Sequence, residues 1–289
     1  MKFEKFGAEK ENVTIKTKPM NFADNNIFKH FNNVFDYIKK NKPEILQEYI
    51  EKMTKGMQDI TKIVFFNEKE ESLINLLKKY EYITDYYQLF QTIMNFYLST
   101  LGISKEEFWE NKEQSFPDWN FFHSIRNIHL VSIKVMIEIL GKEEGIELYK
   151  KIGENYVFKY DLNQQNIYKD LDELRYHHTR FITNNTLGRV RLISDVENGR
   201  YIEICLTCDK VRNFDNLSHE DFKLLDPTGC YIHHALTKLW NENFVLTLDQ
   251  TLAKGDPYCS YVYHDTRIVD SIEHPPKEFF EDIISKIVK

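Results

Sequence analysis

The sequence predicts an α+β protein: a larger helical region joined to a small, mostly antiparallel sheet that carries an inserted helix. Three observations predict it. Apolar residues recur every three or four positions from Asn25 to about Tyr160, the period turns to alternation after Leu187, and one further helical pattern interrupts the alternating segments.

Ile27, Phe31, Val34, Phe35 and Ile38 mark the first amphipathic helix. Pro43 suits the first turn of the next, which Ile45, Leu46, Tyr49, Ile50 and Met53 continue. Later helices begin near Glu71, Asp85 and Asp118. Phe90, Ile93, Met94, Phe96 and Tyr97, then Phe121, Phe122, Ile125 and Ile128, form stripes at helical spacing that read as packed core, although such stripes also suit an apolar ligand cavity. His123 and His129 have no carboxylate or cysteine at ligand spacing and read as structural histidines. On this reading the first half is all helix.

Strands are expected at Leu187 to Val196, Tyr201 to Cys208, Phe244 to Ala253 and Pro257 to Asp265. Glu197-Asn198-Gly199 is a tight hairpin signal between the first two. A helix from about Pro227 to Trp240, capped by Asp226 or Thr228, separates the second and third, and a final helix follows Pro275 and Pro276. The polar stretch Asp161 to Gln165 lacks Pro and Gly, so it marks a soft junction between regions 1–164 and 165–289.

Composition narrows the function classes. A hydrophobic fraction of 42% with 14% aromatics argues against disorder, and 45 acidic against 38 basic residues, well mixed, leave no basic face for nucleic acid. Neither a signal-peptide core nor a run of roughly 20 uncharged residues is present, so a cytoplasmic protein that engages no membrane is expected. The partner expected instead is a small-molecule substrate; oligomeric state is not legible. Four cysteines without a secretory signal read as reduced thiols.

Those thiols are the chemical candidates. Cys205 and Cys208 form a CxxC, but on a strand residues three apart point to opposite faces, which would place Cys205 with Glu203 as a packed thiol and Cys208 on the other side. Cys230 falls in the first turn of the expected helix, where unpaired N–H groups favour a thiolate, and His233 and His234 follow on its face, with His234 as base or charge partner. The same pattern also arises in an ordinary buried cysteine. Cys259 follows the Gly255-Asp256-Pro257-Tyr258 turn, where a hairpin begins. The thiols with His234, Asp249 and Asp256 also make a candidate zinc set, although the reaction considered below needs no cofactor.

From Ile204 to Val262, with Cys208, then Cys230, then Thr251-Leu252-Ala253-Lys254-Gly255-Asp256-Pro257-Tyr258-Cys259, the chain resembles the L-2-amino-thiazoline-4-carboxylic acid hydrolase family. It departs from that pattern in having Asp209 in place of the proline after the first cysteine and His234 in place of an acid four after the second. The resemblance implies a hydrolase that opens a small cyclic amidine, with Cys230, His234, Cys259 and Cys208 as catalytic candidates. Asp256 or Asp249 would then hold the protonated amidine, and Arg189, Arg191 or Arg212 would anchor a carboxylate; each arginine also reads as a solvated surface charge. The closing block also resembles vinyl-reductase-like sensor domains, which bind small ligands and sometimes zinc without catalysis.

Overall fold

The computed structural model describes residues 1–8, 13–66, 68–184, 190–208, 211 and 217–288. The chain divides into two units, one formed by Thr14–Tyr156 and the other by Met1–Val13 together with Val157–Lys289. In order, the elements begin with β1 (Phe3–Phe6), β2 (Thr14–Thr17), α1 (Pro19–Ala23), α2 (Lys29–Asn41), α3 (Leu46–Ile60), α4 (Glu71–Leu77), α5 (Tyr87–Leu101), α6 (Lys105–Glu110), β3 (Gln114–Pro117) and α7 (Asp118–Leu140). They continue through α8 (Lys142–Tyr160), α9 (Leu171–Asn184), β4 (Arg191–Ser194), β5 (Arg200–Cys205), α10 (His219–Lys223), α11 (Ile232–Trp240), β6 (Phe244–Leu248), β7 (Cys259–Asp265) and α12 (Lys277–Ile287). Among the described residues, no helix is long and apolar enough to cross a membrane.

The Thr14–Tyr156 unit is built on α2, α3, α5 and α7. Their apolar stripes meet: Phe31, Phe35, Tyr49, Met53, Phe90, Tyr97, Phe121 and Met136 are all withdrawn from solvent. The aromatic stripes are thus core. His129 stacks on His30 with ring centroids 4.2 Å apart, and Asn127 Nδ2 lies 3.3 Å from His123 Nδ1. The all-helical expectation for the first half fails at three places, because β1, β2 and β3 are strands. Each has only four residues and pairs far along the chain, β2 with β3 and β1 with β4, so no local period announces it.

The second unit carries a five-stranded sheet in the order β1-β4-β5-β7-β6, with every neighbouring pair antiparallel. The α+β class and its antiparallel sheet are as expected. Asn198 and Gly199 both adopt positive φ, 51° and 70°, and Glu197 and Arg200 exchange backbone hydrogen bonds of 2.9 and 3.0 Å, which is the tight turn that Glu197-Asn198-Gly199 signals. The third expected strand stops at Leu248, because Leu252–Lys254 coil into a 3-10 turn capped by the Thr251 hydroxyl.

Two apolar layers cover this sheet. On one face Ile202, Ile204 and Val262 meet Phe280 of α12, flanked by Phe3. On the other, Leu171, Leu174 and Ile182 of α9 pack on Ile193, Tyr201, Phe244, Leu246, Tyr261 and Tyr263, with Cys205 and Cys259 among them. The second layer holds the chemistry.

Candidate functional site

Strand register arranges this face in rows. Cys205 lies opposite both Arg191 and Cys259, Glu203 opposite Ile193 and Tyr261, and Tyr201 opposite Tyr263. Alternation then turns every one of these side chains toward α9 and α11. One row is therefore Arg191, Cys205 and Cys259, and the adjoining row carries Glu203 and Tyr261.

Glu203 is fully enclosed and forms an ion pair with Arg191. It also accepts hydrogen bonds from the Tyr201 hydroxyl at 3.0 Å and from His178 Nδ1 at 3.0 Å. Burial first, and then the Arg191 charge, push His178 down to about 3, so its imidazole is neutral. A carboxylate only accepts, so the His178 proton sits on Nδ1 and Nε2 carries the lone pair. Burial opposes the charge on Arg191, but Cys205, Tyr261, Tyr263 and Cys208 around it favour the cation, and it stays charged. Its guanidinium lies 5.9 Å from the centre of the Tyr261 ring.

The thiols converge on the same place. Cys205 donates to the Thr207 carbonyl at 3.1 Å, which commits its one proton. The Cys259 sulfur accepts from the Leu252 N–H at 3.2 Å. The facing Cys205 thiol first, and then burial, hold the Cys259 thiol well above its ordinary pKa, and Cys205 and Cys230 add charge repulsion. Cys259 is thus a neutral thiol. Cys230 raises both Cys259 and Tyr261, so it stands within electrostatic reach of the row.

Two expectations about these cysteines need correction. Cys208 packs against the same apolar cluster as Cys205 and Cys259, not on the opposite face, because β5 ends at Cys205 and alternation does not extend three residues further. Cys230 is not in the first turn of a helix. Helical backbone begins at the Ser218 cap, and Cys230 ends a π-helical turn, Asp226–Cys230, that leads into α11. The free N–H groups invoked for a thiolate belong to Ser218's end of the run, where the Ser218 hydroxyl accepts from Asp221 N–H at 3.1 Å.

His234 places Nδ1 3.1 Å from the Leu246 carbonyl, so Nδ1 bears the proton and Nε2 is the basic nitrogen. His233 is the imidazole that meets the sheet face, its ring edge-on to Tyr261 at 5.4 Å. Asp256 braces the turn before β7 by accepting from Thr251 N–H at 2.8 Å. Asp249 is exposed beyond β6, where its charge reaches His274; that histidine bonds Ser260 at 2.9 Å and Thr247 at 2.9 Å away from the thiol row. Arg189, Arg212 and Asp209 lie outside the described residues.

The structure therefore brings together Cys230, Cys259, Cys208 and Arg191, and it adds Cys205, Glu203, Tyr201 and His178. Sequence reasoning missed the last of these. A signal did exist for Glu203, an acid between two isoleucines on a strand, on the same side as Tyr201 and Cys205. Among the described residues, no three or more His, Cys, Asp or Glu side chains converge to hold a metal ion. Compared with known proteins, the chain matches no family model, no curated protein and no solved structure.

Proposed function

We propose that the unit formed by Met1–Val13 and Val157–Lys289 hydrolyses a small cyclic amidine bearing a carboxylate, such as L-2-amino-thiazoline-4-carboxylate. The observation that carries this reading is the buried Arg191–Glu203 ion pair set beside a row of thiols. A protonated amidine with a carboxylate is itself a paired cation and anion, so Glu203 and Arg191 offer it the complementary charges in the same spacing class. The order Cys208, Cys230, Thr251 to Cys259, with its resemblance to the thiazoline hydrolases, points the same way. Glu203 takes the amidine-holding part in place of Asp249 and Asp256, whose carboxylates are turned to other work.

Cys230 is the nucleophile in this scheme. Its sulfur adds to the carbon between the two heteroatoms as His234 Nε2 takes the thiol proton, and the tetrahedral adduct collapses when that proton returns to the departing ring atom. Water then adds to the enzyme-bound carbon and expels the Cys230 sulfur. Cys259, kept protonated, serves as a hydrogen-bond donor rather than as a second nucleophile. A reducing compartment such as the cytoplasm keeps the four thiols in the required state.

One observation favours a second reading, a ligand-binding module without turnover. Tyr201, His178 and Arg191 are already gathered on the Glu203 carboxylate, which suits a preorganised receptor as well as an enzyme. Incubation of the native protein with L-2-amino-thiazoline-4-carboxylate, followed by mass spectrometry and calorimetry, separates the two. A product heavier by one water is expected. Saturable heat without product would move the assignment to the binding module, and neither signal would overturn both.

A further inference from the structure

We propose that Cys205 and Cys259 form a reversible cross-strand disulfide, making the end of the β5–β7 ladder a peroxide-sensitive modification site. The proposal uses neither Cys230 nor His234 and does not require hydrolysis, although oxidation would remove the Cys259 donor that the hydrolase reading employs.

Geometry supports it first. Cys205 and Cys259 are directly opposed register partners on antiparallel strands. Such partners hold their Cα atoms about 4.5–5.5 Å apart, inside the range a disulfide spans. Their side chains leave the same face of the sheet from adjacent strands. No strand needs to slide or rotate for the bond to form.

Surroundings and access also fit. Arg191 is the other register partner of Cys205, so a guanidinium stands in line with the two sulfurs, where it would stabilise the charge that develops on Cys205 as its proton leaves. Cys205 is the last residue of β5 and Cys259 the first of β7, so both buried thiols sit where a ladder frays rather than at its centre. The half-buried Cys208 borders the same cluster.

The oxidant is a hydroperoxide. Cys205, on losing its proton, attacks the O–O bond, taking an oxygen to become a sulfenic acid and releasing hydroxide, which that proton converts to water. The Cys259 thiol then attacks the sulfenic sulfur of Cys205, forming S–S as its proton passes to the departing hydroxide and makes the second water. Two thiols and one hydrogen peroxide thus give one disulfide and two waters. A dithiol reductant reverses the change by exchange.

The test is peptide mapping of the full chain after hydrogen peroxide treatment, blocking of free thiols under denaturing conditions, and digestion without reductant. The expected result is a cross-linked peptide pair joining Cys205 to Cys259 that dithiothreitol separates, with a rise in Tm of roughly 5 °C in the oxidised protein because a long loop is closed. Cys205→Ser and Cys259→Ser should each abolish the cross-link, whereas Cys208→Ser should retain it. Recovery of Cys205 and Cys259 as blocked free thiols after oxidation, or cross-links joining either one only to Cys208 or Cys230, would overturn the proposal.

Discussion

Glu203 has no contact with water, and Arg191, Tyr201 and His178 all converge on it. Removing it leaves the Arg191 cation buried without a counter-charge, so Glu203→Ala should lower stability by about 3–5 kcal/mol. Urea unfolding followed through Trp240, with Trp109 and Trp119 replaced by Phe, would measure this in the sheet unit, because Trp240 lies 5.6 Å from the His178 ring. The same reporter reads a pH effect. An unfolded histidine takes up its proton near pH 6.5, whereas folded His178 stays neutral down to about 3. The unfolded state therefore binds more protons below pH 6.5, and stability present above that pH is lost as pH falls toward 3, at up to about 1.4 kcal/mol per pH unit. The urea midpoint should drop from pH 7 to pH 5, and His178→Gln should shrink that drop; an unchanged drop would mean His178 is not the group responsible. These partners were hidden in the sequence for a physical reason. A glutamate in an alternating strand reads as solvent-facing, and its histidine lies 25 residues away on a helix, so only tertiary packing reveals the pair. The cysteines could be singled out because that residue type is rare and chemically marked.

Short β1 illustrates how an element can escape a local pattern. Phe3 packs on one face of the sheet and Phe6 on the other, while its backbone completes the ladder beside β4. Deleting Met1–Gly7 should cost the sheet unit on the order of 2–4 kcal/mol from lost aromatic burial, read as a lower urea midpoint, and an unchanged midpoint would show the strand to be dispensable. Helix starts were easier to read. Ser104 and Glu107 form a reciprocal capping box at α6, so Ser104→Ala should cost about 1 kcal/mol in the helical unit. The hairpin at Asn198 and Gly199 was legible because positive φ at two successive residues has few sequence solutions. By contrast, the π-helical turn at Asp226–Cys230 has no comparable signature, and missing it misplaced Cys230 relative to the helix start.

At the level of the chain, the sheet unit is discontinuous in sequence, formed by Met1–Val13 with Val157–Lys289, while Thr14–Tyr156 forms the other unit. Polarity placed the junction near Asp161, whereas the units divide at Val157 within α8, and the contribution of the first thirteen residues was not legible, since β1 meets its partner only after more than half of the chain has passed. The class α+β, the antiparallel sheet and its inserted helix were readable because period and alternation are set locally. The Arg191–Glu203–His178 cluster was not readable, since its charges are paired across elements. The central claim is that Cys230 and His234 carry out hydrolysis beside that charge pair. Steady-state turnover of L-2-amino-thiazoline-4-carboxylate by the native protein, Cys230→Ser and His234→Ala, each checked for folding by circular dichroism, tests it most directly. The account predicts a kcat reduced on the order of a hundredfold or more in each folded variant; two folded variants that turn over at the native rate would contradict it.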